Sequence, residues 1–177
     1  IGWSPERTAD GVFAVLGLLA AIVLFALVRG LTGSTALAVL ALVVELADPA
    51  YHVYANVLFY EFLVHVLVVL IVATAVRYLR GGARSSLVLL SVLLAIVSAT
   101  RTIFHPLWAI GLWGLVVGLR ARMAPARGVL APLVLLVVLL AAWPVKNAIV
   151  YGRFFASTLS SSNLARGVPG CSRRDLQ

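Results

Sequence analysis

The sequence predicts an all-α fold, a polytopic transmembrane helix bundle with five to six spanning helices. Three observations carry this: composition, apolar run length and the placement of arginines. Of 177 residues, 63% are hydrophobic and 11% are charged, with a mean hydropathy of +1.09. Soluble domains hold roughly 45–50% apolar and about 25% charged residues, so this composition suits lipid and excludes disorder. Cys171 is the single cysteine, which excludes a disulfide framework and metal sites built on cysteine pairs. The net charge of +8 comes from basic residues set between apolar runs, where they orient helices instead of binding nucleic acid. Glu6, Arg7 and Asp10 precede the first run, which begins without a signal peptide's basic region. The first residue is Ile1, and the chain is expected to be a piece of a longer protein.

The runs are Gly11 to Val28, Thr35 to Ala47, about Val57 to Val76, Leu87 to Thr100, Phe104 to Leu119 and Val129 to Trp143. A spanning helix needs about 20 residues to cross a hydrocarbon core of about 30 Å. The second run, with Glu45 near its end, is short enough to be re-entrant. Short Gly/Ser-rich loops at 29–34 and 80–86 predict antiparallel hairpins. Residues 1–165 are read as the bundle and 166–177 as a polar tail.

Arg29, then Arg77, Arg80 and Arg84, then Arg120, Arg122 and Arg127 fall in three connections on one side. That excess predicts a cytoplasmic location for these loops and an outside N-terminus. All six carboxylates lie on the other side or at its helix ends.

Three outer segments hold the unusual polarity. In the first, Asp48-Pro49 turns the chain, and Tyr54, Asn56 and Glu61 follow among interfacial aromatics. This segment reads either as an aromatic belt or as a substrate lining. In the second, Arg101 offers a planar donor fork for phosphate, with His105 just before Pro106 at a helix start. Snorkelling to lipid headgroups is the structural alternative for Arg101, and a backbone contact is that for His105. In the third, Lys146, Asn147 and Arg153 form a basic, amide-bearing lip just past the sixth run, with Asn163 among hydroxyls beyond. An interfacial anchor is the other reading of that lip.

In order, the segments read Asp48-Pro-Ala to Tyr60, Thr100-Arg-x-x-Phe-His-x-Leu-Trp108, and Lys146-Asn to Asn163-Leu-Ala165. Together they resemble bacterial multi-spanning glycosyltransferases of the GT-C type, similar to the protein mannosyltransferase and aminoarabinose transferase families. The resemblance runs from about Gly11 to Ala165. It implies transfer of a sugar from a polyprenyl-phosphate carrier to an acceptor outside the cytoplasm, in a bacterial plasma membrane. It also implies a catalytic acid in an outer loop that would precede Ile1. The chain departs from the family pattern at Ala55, where relatives carry a glutamate, and at Ser161-Ser162, where they read Gly-Met.

For this chemistry the residues offer Asp48 and Glu61 as base. Arg101, His105, Lys146, Asn147, Arg153, Tyr54, Asn56 and Asn163 are offered as ligands of phosphate and sugar. A divalent cation is compatible with such a site, although no ligand cluster calls for one. The implied partners are a polyprenyl-phosphate-linked sugar and membrane lipid, with no nucleic acid. The competing classes are a transporter or flippase, with Arg101, His105 and Glu61 along its path, and a non-catalytic membrane protein.

Overall fold

The computed structural model describes residues 5–47, 59–100, 105–124 and 128–151. Among them, six helices follow in chain order: α1 (Pro5–Thr32), α2 (Thr35–Ala47), α3 (Phe59–Gly81), α4 (Arg84–Thr100), α5 (Pro106–Met123) and α6 (Leu130–Tyr151). The all-helical class is as the apolar runs predict.

Three helices contain stretches long and apolar enough to cross a membrane: Ala14–Thr32, Phe62–Gly81 and Leu130–Val150. The expectation of five to six spanning helices is corrected to this number among the described residues. The reason is length and charge. The 13 residues of α2 rise about 20 Å and the 17 of α4 about 26 Å, both less than the hydrocarbon core. Helix α5 loses its last turn to Arg120 and Arg122.

Helix α4 forms the centre, packed against α3, α6 and α5. Its Leu87, Leu90, Leu94 and Val97 are buried together with Leu67 and Ile71 of α3, Trp113 of α5 and Leu136 of α6. A polar tie runs through this core. Trp113 Nε1 donates to Ser91 Oγ at 3.0 Å, and Ser91 Oγ donates to the Leu87 carbonyl at 2.9 Å. Such a tie matters in an apolar bundle because it satisfies two buried polar groups that would otherwise go unpaired. Helices α1 and α2 are peripheral: α1 packs on α2 and α3. Small residues set the close approaches, with Ala20 of α1 in a cluster with Phe62 and Val66 of α3, and Ala38 of α2 fully buried. Most other large side chains of α1 and α2, such as Val15, Leu18, Leu40 and Val44, are exposed, as a lipid-facing surface requires.

The hairpin connections are built by local chemistry. Gly33 has φ +71°, a conformation that side chains resist, and its N–H donates to the Arg29 carbonyl at 2.8 Å. Ser34 then caps α2, its Oγ accepting from the Leu37 N–H. Gly82 repeats the device after α3, with φ +67° and an N–H bonded to the Tyr78 carbonyl. Contacts between connections place all three hairpin turns at one end of the bundle. Arg80 Nη1 is 3.5 Å from where a β-carbon on Gly30 would sit, and Arg84 Cδ is 3.6 Å from that of Gly128. Arg120 Nη1 donates to the Leu79 carbonyl at 2.8 Å. Arg29, Arg77, Arg80, Arg84, Arg120 and Arg122 therefore share this end.

Helix α6 corrects a second expectation. Instead of ending at Trp143, it continues through Pro144 to Tyr151. Proline removes the N–H that would bond the carbonyl four residues back, yet spanning helices tolerate this when neighbours cover the freed group. Pro144 is buried here, in a stripe with Pro132, Leu136, Leu140 and Asn147 that faces the bundle. Val145, Ile149 and Val150 are exposed on the other faces of these last turns.

Candidate functional site

The end opposite the arginine-rich turns holds the C-termini of α2, α4 and α6 and the N-termini of α1, α3 and α5. Three of the predicted ligand residues are described there: His105, Lys146 and Asn147. Glu61 lies in the first turn of α3, with its side chain outside the described set. Asp48, Tyr54, Asn56, Arg101, Arg153 and Asn163 lie outside the described residues.

His105 is the N-cap of α5. Its Nδ1 accepts the Leu107 N–H at 3.2 Å, and Pro106 occupies the first helical position, where a missing N–H costs nothing. With Nδ1 accepting, a neutral ring carries its proton on Nε2, and the exposed imidazole can donate from there to an oxyanion. The two roles separate by substitution. His105→Asn keeps a capping side chain, whereas His105→Ala forfeits about 1 kcal/mol of cap stability. If the ring binds phosphate, the Asn variant melts within about 0.5 kcal/mol of the parent, a surface-substitution effect, yet loses ligand. Unchanged ligand binding by the Asn variant restricts His105 to capping.

Lys146 and Asn147, expected together as one lip just past the sixth run, lie within α6 and on different sides of it. Successive helical residues point about 100° apart. Asn147 is buried at 4% exposure on the inner stripe. Lys146 is exposed, its Nζ 4.3 Å from the centre of the Trp143 ring, a cation–π contact at the outer surface. This arrangement suits an interfacial anchor and leaves Asn147 as the residue of the pair that faces the bundle.

The sequence reading did not pair Glu45 with His65. Here Glu45 Oε1 of α2 and His65 Nε2 of α3 are 2.5 Å apart, with the two side chains 23% and 38% exposed. Ionisable groups inside apolar runs need partners, and two of them on consecutive runs are a signal for pairing. The contact joins α2 to α3 near the same end as His105 and Asn147. Close by in the chain order of α4, the Ser98 hydroxyl is buried with no hydrogen-bond partner among the described residues. Among the described residues no group of three or more His, Cys, Asp or Glu side chains can hold a metal ion.

Among the described residues this end offers the His105 imidazole, the inward Asn147 amide, the exposed Lys146 ammonium and the Glu45–His65 contact on an apolar bundle. Among the described residues, the charged groups of the opposite end are the arginines, with the hydroxyls of Ser34, Ser85 and Ser86 nearby. No protein-family model, curated protein or solved structure matches the chain.

Proposed function

We propose that this membrane protein is part of a glycosyltransferase. In this reading it carries a sugar from a polyprenyl-phosphate donor to an acceptor hydroxyl on the side away from the arginine-rich turns. That side is the outside of a bacterial plasma membrane, and the arginine-rich turns are cytoplasmic. The resemblance to GT-C enzymes supplies the reaction class. The supporting observation from the fold is that His105, Asn147 and the Glu45–His65 contact share one end of the bundle, away from the basic turns.

In the transfer, the acceptor oxygen forms a bond to the anomeric carbon while the bond from that carbon to the phosphate oxygen breaks. The electron pair leaves with polyprenyl phosphate, and the acceptor proton passes to a carboxylate, Asp48 or Glu61. Charge gathers on the departing phosphate, where fixed cations give the largest stabilisation. Arg101 fills that role best, since a guanidinium grips two phosphate oxygens at once. Arg153 adds charge, and Lys146 joins only by leaving the Trp143 ring. Asn147, Tyr54, Asn56 and Asn163 orient sugar and phosphate through hydrogen bonds, with the His105 Nε2 proton as a further donor.

One observation favours a second reading. A carboxylate–imidazole contact between two apolar helices is also what a transport path carries. Incubating proteoliposomes with radiolabelled polyprenyl-phosphate sugars separates the two. Label moving onto an acceptor in the lumen-facing fraction supports transfer, whereas intact donor appearing in the other leaflet supports transport.

A further inference from the structure

A groove of about 910 Å³ runs between α1, α3 and the start of α4, at the arginine-rich end. Its walls are aliphatic, with Ile22 and Ala26 from α1, Leu70 from α3 and Leu89 from α4. Arg77, Arg80 and Ser85 stand at its mouth. The space is left where small residues, Ala26 and Gly30 of α1 and Ala73 of α3, line the parallel helices. Gly30 has no side chain to fill the mouth, and Arg80 passes over it instead. From Ile22 to Gly30 the wall follows about 12 Å of helix axis, the length of several methylene groups of an acyl chain.

The charge of the groove is one-sided. Neither Arg77 nor Arg80 meets a carboxylate among the described residues. Both belong to helix stretches long and apolar enough to cross a membrane or sit at their ends, and Ile22 and Leu89 are exposed beside them. A soluble anion would satisfy the arginines but would leave the aliphatic walls without a partner. A molecule with an anionic head and an apolar tail satisfies both.

We propose that this groove binds one anionic phospholipid of the leaflet at the arginine-rich end. Arg77 and Arg80 hold its phosphodiester, and an acyl chain lies along Ile22, Ala26, Leu70 and Leu89. The site is at the opposite end from the candidate sugar-transfer site and does not depend on it. Each arginine near an anionic headgroup contributes about 1 kcal/mol, so losing both weakens retention roughly 30-fold.

Native mass spectrometry of the purified full chain in neutral detergent reads this directly, with dioleoylphosphatidylglycerol and dioleoylphosphatidylcholine offered at equal ratios. The expected result is one retained phosphatidylglycerol, preferred over phosphatidylcholine. It is lost roughly 30-fold in the R77Q/R80Q variant and also in Ala26→Trp, which fills the wall and keeps both charges. Arg122→Gln, which removes an exposed charge outside the groove, keeps the lipid. The proposal is overturned by equal retention of phosphatidylcholine, by undiminished binding in R77Q/R80Q or Ala26→Trp, or by an equal loss in Arg122→Gln. Displacement of the lipid by millimolar inorganic phosphate, with Ala26→Trp unaffected, marks a plain anion site and overturns it too.

Discussion

Arg101→Ala is expected to lower transfer from a polyprenyl-phosphate sugar by about 10²–10³-fold, the usual cost of removing one preorganised group that stabilises developing charge. Insertion into the membrane and helix content should not change, because the positive-inside bias rests on the arginines at the other end. Arg101→Lys should recover part of the rate, since an ammonium supplies the charge without the two-pronged geometry. Arg122→Ala, at the opposite end, should leave transfer unchanged. Equal losses from Arg101→Ala and Arg122→Ala would mean that net charge, and not a phosphate contact, governs the activity.

The second large effect concerns stability at the turn between α3 and α4. Gly82 has φ +67°, and a β-carbon there would come within 2.7 Å of Arg120 Nη2. Arg120 in turn donates to the Leu79 carbonyl, one of the carbonyls that the end of α3 leaves without a helical partner. Gly82→Ala therefore meets two penalties. The left-handed backbone costs about 1–2 kcal/mol. Displacing the guanidinium breaks a charge-assisted hydrogen bond that contributes about 1.5–3 kcal/mol. Unfolding of the detergent-solubilised protein should show a loss of about 3–4 kcal/mol for Gly82→Ala and about 2 kcal/mol for Arg120→Ala. In the double variant the guanidinium penalty is counted once, so the combined loss should fall short of the sum by about 2 kcal/mol. Strict additivity would show that Arg120 does not clip this turn.

Much of the helical layout was legible because it rests on local chemistry. Gly33 and Ser34 end one helix and cap the next, Gly82 turns the second hairpin, and Pro106 starts α5 behind His105. Arginines marked the end where the hairpins turn. What the sequence hid comes from packing between distant segments. The continuation of α6 past Pro144 depends on neighbours that cover the freed carbonyl, a fact that no window around residue 144 contains. The division of Lys146 from Asn147 follows from that continuation, since a helix turns adjacent side chains about 100° apart. The Glu45–His65 contact needs α2 and α3 brought together across a connection, although the two ionisable residues in apolar runs did advertise a need for partners. The groove beneath Arg80 could not be read at all. It depends on α1 and α3 running parallel, so that Gly30 meets a residue 50 positions later. The helix count failed for a different reason: run length alone does not tell a spanning segment from one sheltered inside a bundle, as α4 is. Of the candidate transfer site, the structure describes His105, Lys146 and Asn147, while Arg101, Tyr54 and Asp48 lie outside the described residues.

The proposed transfer requires an anionic polyprenyl carrier held at the end away from the basic turns. Photo-crosslinking of a diazirine-bearing polyprenyl phosphate to the protein in proteoliposomes, with peptide mapping, tests this most directly. Label on peptides covering residues 100–108 and 146–153, reduced in Arg101→Ala, is the predicted result. Label confined to residues 22–30 and 70–89, or unchanged by Arg101→Ala, would contradict it.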